Sequence, residues 1–276
     1  MRSLNGAENC IIDSRASVGQ PHRAFDILAG QTRATRIEGF TITGGDTLVG
    51  AVEDQFNAGA ILTSNASPTI RDCFFVDNNC ACWGGAICLS GSGSPLIERS
   101  MFLRNSSGDE GGAIFSWSQG ALVLDSCVFL DNTAGAVGGG IAAFGPLQAS
   151  NLTLVGNTAS ANSALYLSSA GTTVRNSIIW NNNSTNGTST DVGGWNFVLE
   201  FSLVEGGFDG LGNIDTNPML KADGFHLRPG SPCMNAGAPD FVPDVSARDI
   251  DGKRRRVMGC IDMGADEFAH SALTAQ

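Results

Sequence analysis

The stretch that decides the fold is a motif that repeats within residues 84–114. Gly84-Gly85-Ala86-Ile87 is followed by Phe102-Leu103-Arg104-Asn105, and Gly111-Gly112-Ala113-Ile114 then begins the motif again. The repeat thus has two markers, a Gly-Gly marker and a marker of apolar residues that ends in Asn. Outward from this stretch the Asn marker recurs, with Asn residues spaced 27, 27, 25 and 24 positions apart: Asn78, Asn105, Asn132, Asn157 and Asn181. A unit of this size, with short apolar runs between Gly and Asn, cannot close its own core. Copies of the unit must therefore stack on one another.

The apolar runs inside each unit have the pattern of strands. Residues 69–75 read as an extended segment and lack the 3.6-residue spacing of a helix. These observations predict an all-β fold, a parallel β-solenoid with about 25 residues per coil and equivalent residues about 4.8 Å apart. Asp77, Arg104 and Asp131 occupy the same position in successive units, and opposite charges on neighbouring strands support this register.

The Asn column has a structural interpretation. We expect it at a bend, where Asn tolerates a left-handed backbone and its amide can bond to the coils above and below. The Gly pairs are interpreted as turns that need a positive φ, because no phosphate-loop spacing accompanies them.

Eight cysteines, an even number, suggest disulfides if the protein is exported. Cys73 and Cys127 are expected to be core thiols, since two coils, about 9.6 Å, separate them. A cluster at Cys80, Cys82 and Cys88 is interpreted as a local bridge or free thiols. We expect a disulfide between Cys233 and Cys260.

Composition excludes several classes of protein. The 276 residues include 36 Gly without a three-residue period, and 42% are hydrophobic, so the chain is neither collagen-like nor disordered. The net charge of −11 argues against nucleic acid and polyuronate partners. No apolar run is long enough for a transmembrane segment.

Candidate catalytic residues are few. Asp109 and Glu110 precede a Gly-Gly turn and could serve a hydrolase, although a solvated turn explains them more simply. Arg175 is the one candidate for the base of a lyase. We predict no metal site and no cofactor, and no motif supports a calcium site.

An aromatic row provides the only indication of a binding surface. The apolar residue after each Gly-Gly turn points inward, so strand alternation places Phe115, Trp117, Phe144 and Tyr166 outward. An exposed aromatic row suits stacking on sugar rings or docking of a partner. The alternative is a packing face covered by a long loop or by the C-terminal part of the chain.

The repeats resemble those of the polymorphic outer-membrane protein family and of right-handed parallel β-helix repeat proteins. From about Asn213 the chain resembles the choice-of-anchor type Q module, through residues 215–218, 225–232, 235–237, 249–255 and 262–268. The resemblance implies a right-handed coil over residues 1–212 and an irregular C-terminal capping module over residues 213–276, packed on the last coils. It also implies a secreted or cell-surface protein of the bacterial envelope, and it implies no catalytic residues. The chain departs from the family pattern at its start, where we expect the N-terminal cap to be missing.

Taken together, the sequence predicts a non-catalytic binding or adhesive surface whose partner is a polysaccharide or cell-surface glycan. The first alternative is a polysaccharide lyase or glycoside hydrolase that acts in a groove of the solenoid. The second is a structural stalk segment. We expect a monomer or a part of a larger surface polypeptide.

Overall fold

Successive repeat units form the coils of a parallel β-solenoid. The computed structural model describes residues 1–17, 20–47, 58–187, 190–255 and 260–268. After the short 3-10 helix Ala7–Asn9 and the strand Ile11–Asp13, each complete coil visits four parallel sheets in turn, here numbered 1 to 4 in the order followed by the coil that begins at Phe25. The predicted all-β fold is therefore confirmed.

Sheets 1 and 2 each have seven strands in the described residues. Sheet 1 contains Phe25–Ile27, Ile61–Ser64, Ile87–Ser90, Ile114–Ser116, Ile141–Ala143, Leu165–Leu167 and Val192–Gly194. Sheet 2 contains Arg36–Glu38, Thr69–Arg71, Leu96–Glu98, Leu122–Asp125, Leu147–Ser150, Thr172–Arg175 and Phe197–Glu200.

Sheets 3 and 4 complete the coil, with eight and six strands in the described residues. Sheet 3 contains Ile11–Asp13, Thr41–Thr43, Phe74–Val76, Met101–Leu103, Val128–Leu130, Thr153–Val155, Ile178–Trp180 and Leu203–Val204. Sheet 4 contains the two-residue strands Asp46–Thr47, Asn79–Cys80, Ser106–Ser107, Thr133–Ala134, Thr158–Ala159 and Asn183–Ser184.

The core consists of columns of identical or similar side chains. Phe75, Phe102 and Phe129 lie opposite one another in sheet 3, and their rings stack with centroids 4.8 and 4.7 Å apart. Ile87 and Ile114 are fully buried on the inner face of sheet 1, as strand parity predicts. Each such side chain contributes about 1.5 to 3 kcal/mol through burial, so stacking of coils stabilises the fold.

The two glycines of each Gly-Gly marker serve different purposes. Gly111 has a φ of 66°, which explains the first Gly of the pair. Gly112 does not need a left-handed backbone, but a Cβ there would lie 2.1 Å from the carbonyl oxygen of Gly139 on the next coil. The second Gly is therefore required by the close approach of neighbouring coils. The prediction that the Gly pairs are needed for a positive φ explains only the first Gly of each pair.

The Asn column forms a buried hydrogen-bonded ladder. The Asn105 Nδ2 donates to Asn132 Oδ1 at 3.0 Å, and its Oδ1 accepts from the backbone and side-chain amides of Asn78 at 3.1 and 3.0 Å. The left-handed residue is the one before each Asn, such as Arg104 with a φ of 52°. The expectation of a left-handed backbone at the Asn itself is thus wrong by one position.

The last member of the ladder also differs from the prediction. Asn157 donates to Asn182 Oδ1 at 2.9 Å, whereas Asn181 occupies the preceding left-handed position with a φ of 53°. Val155 pairs with Trp180 in sheet 3, which sets this register. The sequence contains two adjacent Asn residues here, and spacing alone selected the wrong one.

Charged residues on the corners form the predicted ladder of opposite charges. The Arg104 guanidinium donates two hydrogen bonds of 2.8 Å to the Asp77 carboxylate one coil away. Arg99 binds Asp72 in the same way at the corner between sheets 2 and 3. These pairs confirm the register and satisfy carboxylates that could otherwise belong to a catalytic groove.

The C-terminal part of the chain first closes the end of the solenoid and then runs back along its side. Phe208 stacks on Phe197 at 5.6 Å and packs against the end of the core. Further on, the Ala265 amide donates to Thr153 Oγ1, and Ser126 Oγ donates to the carbonyl of Arg248. These contacts of the described part of the segment lie along sheet 3 and its corner with sheet 2, and not on the outer face of sheet 1.

All eight cysteines lie in the described residues, and no disulfide joins any two of them. The expected Cys233–Cys260 disulfide is therefore absent. Cys233 is buried in an apolar cluster with Leu227 and Met263, while Cys260 is half-buried. Cys73 and Cys127 are fully buried, as predicted. Among the described residues, no helix has the length and apolar character needed to cross a membrane.

Candidate functional site

The outer face of sheet 1 carries a continuous row of aromatic rings, here called the aromatic row. The rings follow one another across successive coils with centroid distances of 5.4, 5.6, 5.3 and 6.0 Å, in the order Trp83, Phe115, Phe144, Tyr166 and Trp195. The row therefore extends over several coils, on a length scale that suits an extended ligand.

Strand register explains how the rings reach one another. Phe115, Ala142 and Tyr166 lie opposite one another on adjacent strands. Because Ala142 is small, the ring of Phe144 from two residues further along can lie between Phe115 and Tyr166. The row therefore uses rings from two outward columns of sheet 1: Phe115 and Tyr166 belong to one column, and Phe144 belongs to the column two residues further along the strands.

The predicted binding residues do not all offer free ring surface. Trp117 is 58% exposed beside the row, and Phe144 and Tyr166 are half-buried. Phe115 points outward as predicted, but it is only 1% exposed because it packs with Trp83 and Phe144. Phe115 therefore supports the row from beneath and does not present a face to a ligand.

Two members of the row were missed in the sequence. Trp83 precedes its Gly-Gly turn and folds over the outer face of sheet 1, where its ring stacks on Phe115 at an interplanar angle of 15°. Trp195 follows the edge strand Val192–Gly194 and is 56% exposed. The signal for Trp195 was present, since it lies in register with Phe144 through the strand pairings, but the irregular last coil obscured it.

Asp109 and Glu110 lie at the edge of this row. The Trp83 indole Nε1–H donates to Asp109 Oδ2 at 3.3 Å, and Trp83 pairs with Glu110 through a backbone bridge. Burial, and then the charge of Asp109, raises the pKa of Glu110. Burial and then the Glu110 charge raise the pKa of Tyr166, which places that carboxylate within electrostatic range of the row. Neither acid forms an ion pair with another described residue.

Arg175 lies elsewhere. Its guanidinium binds Asp240 at 2.8 Å and Glu200 at 3.7 Å on the side of sheet 2, and it lies 5.6 Å from the centre of the Phe201 ring. The structure therefore brings Asp109 and Glu110 together with the aromatic residues, but not with Arg175. The contacts of Arg175 attach the C-terminal segment to the coil.

A cleft of about 690 Å³ lies between the C-terminal segment and the corner of sheets 2 and 3. Its charged groups neutralise one another: Arg71 binds Glu38 at 2.9 Å, and Arg99 binds Asp72 at 2.8 Å. Arg248 donates to the carbonyl oxygens of its own loop. The cleft is thus lined by ion pairs between coils and by a loop of the segment, and Phe241 of the segment also lines it.

One cluster in the C-terminal segment has the residue types of a metal site. The ligand atoms of His226, Asp251 and Asp266 lie within 4.8 Å of one another. His226 Nδ1 lies 2.9 Å from Asp223, and the Lys253 ammonium lies 2.5 Å from Asp251. Burial lowers the pKa of His226, but the hydrogen bonds to Asp223 and Asp251 outweigh it and raise that pKa overall. The cluster therefore has internal countercharges and joins two loops of the segment. Sequence spacing did not indicate it.

The fold and the aromatic row define a solenoid repeat protein with a lateral aromatic face. A family model described as a right handed beta helix region matches residues 4–217. The chain belongs to the right-handed β-helix family. A comparison with curated proteins finds no match.

Proposed function

We propose that this protein is a secreted or cell-surface protein that binds carbohydrate, without catalysis, on the aromatic row of sheet 1. The observation that carries the proposal is the uninterrupted sequence of ring contacts from Trp83 to Trp195. Trp195 at the end of the row and Trp117 beside it are both more than half exposed. Exposed apolar patches of this kind are avoided on soluble proteins unless they contact a partner. Flat rings spaced along a sheet match the repeating sugar faces of a polysaccharide.

The resemblance of the repeats and of residues 213–276 to outer-membrane and choice-of-anchor proteins supports the location at the bacterial envelope. An acidic protein with net charge −11 repels acidic polysaccharides at long range, so the proposed partners are neutral or basic glycans.

The test is a panel of polysaccharides assayed at the same time for binding and for release of products. Trp117→Ala should weaken binding several-fold, since a ring contact contributes about 0.5 to 1.5 kcal/mol. Leu211→Ala is the matched control, because Leu211 is 65% exposed at the end of the solenoid and outside the row. Retention of no glycan by the native protein, or equal affinities for both variants, would contradict the proposal.

A glycoside hydrolase is the second candidate. It is favoured by the two carboxylates at the row that lack an ion-pair partner among the described residues, and by the raised pKa of Glu110. Release of new reducing ends by the native protein, abolished in Glu110→Gln, would establish it in place of simple binding.

A further inference from the structure

We infer that the aromatic row selects a polysaccharide of amino sugars whose amino groups are free and protonated, with Asp109 and Glu110 as the groups that recognise the positive charge. The inference rests on the proposed function, since it assigns the class of glycan to the same surface. The charges around the row and the chemistry of aromatic faces both support it.

The coils that carry Phe115, Phe144 and Tyr166 have a one-sided charge. No Lys, Arg or His occurs in the sequence between Arg104 and Arg175, a range that includes the strands Ile114–Ser116, Ile141–Ala143 and Leu165–Leu167. Asp109 and Glu110 fall within this range and lie beside the rings. A uronate polymer would find carboxylates at the row and no basic side chain from these coils to neutralise it.

The two carboxylates are held where a ligand on the rings would meet them. Asp109 is exposed and is fixed by the Trp83 indole, whose ring continues the row through its contact with Phe115. Glu110 follows directly and is partly buried beside Trp83, within electrostatic range of Tyr166. This differs from the corner ladders, where acids such as Asp77 bind an arginine from the next coil.

Aromatic faces and carboxylates favour the same kind of ligand. A cation over the face of Trp, Tyr or Phe is attracted by the negative potential of the ring, most strongly for Trp. A carboxylate nearby adds a charge-assisted hydrogen bond to an ammonium group. An amino sugar offers a ring face for stacking and an ammonium group at its edge, and so it uses both features of this surface.

Three hexasaccharides with the same β-1,4 linkage test the inference: the glucosamine oligomer, its N-acetylated form and the glucose oligomer. At low salt and mildly acidic pH, the glucosamine hexamer should bind the native protein about ten-fold more tightly than the other two. This preference should shrink as salt is added, because screening weakens exposed charge pairs.

Two substitutions remove the charges without removing hydrogen-bond acceptors: Asp109→Asn, which keeps an acceptor for the Trp83 indole, and Glu110→Gln. Together they should abolish the ten-fold preference, so that the glucosamine hexamer binds the variant no more tightly than the two neutral hexamers do. Glu8→Gln is the matched control for overall charge, because Glu8 is exposed in the helix Ala7–Asn9, outside the aromatic row.

The outcomes separate this inference from the function on which it rests. If all three hexamers bind equally, the aromatic row binds glycans but does not select charge, and the inference fails alone. If none of them and no other glycan binds, the proposed function fails. A preference that Glu8→Gln reduces as much as Glu110→Gln would show attraction to an acidic protein in general and would overturn the inference.

Discussion

Replacement of Asn105 by Ala should cost the protein about 4 kcal/mol of unfolding free energy. The Asn105 side chain is fully buried and makes four hydrogen bonds: to the backbone and side-chain amides of Asn78, to the carbonyl of Phe75 and to the amide of Asn132. Each contributes about 1 kcal/mol, and a buried donor that loses its acceptor costs more. The total is a large fraction of the roughly 5 to 15 kcal/mol typical of a folded domain.

Urea unfolding followed by circular dichroism measures this loss as a lower midpoint with an unchanged slope. Asn79→Ala is the matched control, since the neighbouring Asn79 is half-buried and its side chain accepts a hydrogen bond from Ser106 Oγ at 2.7 Å. The control should lose no more than about 1 kcal/mol. Unfolding of both variants at the same urea concentration would refute the argument that the ladder stabilises the stack of coils.

Two further predictions concern buried titratable groups. Burial raises the pKa of the Cys73 thiol to about 11 and also raises that of Cys127, so both thiols should resist alkylation at mildly alkaline pH until urea unfolds the chain. The half-buried Cys10 should react before either of them. Early modification of Cys73, detected by peptide mass spectrometry, would contradict the burial of this column. Burial, and then the charge of Asp262, raises the pKa of Glu267 from 4.5 to about 8. The stability that protonated Glu267 contributes is therefore complete below pH 4.5 and is lost as the pH rises from there through about 8. Urea midpoints should decline over this pH range in the native protein and should decline less in Glu267→Gln. An equal decline in the variant would show that another group causes it.

The solenoid could be predicted because its signals repeat. Each coil supplies an independent copy of the Gly-Gly and Asn markers, so the spacing, the inward column of Ile87 and Ile114 and the opposite charges of Asp77 and Arg104 agree with one another. The errors arose where the copies diverge. Asn182 takes the ladder position that the spacing assigned to Asn181, because the pairing of Val155 with Trp180 sets the register in this coil.

The aromatic row could be predicted only in part, because parity gives the direction of a side chain but not what covers it. Phe115 points outward and is still buried, since Trp83 reaches it from a turn that has no fixed parity. The disulfide prediction failed for a related reason. Pairing depends on where the irregular C-terminal segment places Cys233 and Cys260, and no repeat fixes that geometry.

The two long sides of the solenoid differ in what their outward residues contact. On the corner of sheets 2 and 3, buried polar groups such as Asn176 bind the C-terminal segment, whose Ala238 amide donates to Asn176 Oδ1 at 2.7 Å. On sheet 1, the outward residues contact one another and solvent through the aromatic row. The ladder of Asn residues stabilises both sides from within, because it joins neighbouring coils independently of either surface. A rigid row of rings on a coil held in this way loses little conformational entropy when it binds, which is the physical advantage of placing a binding surface on a regular sheet.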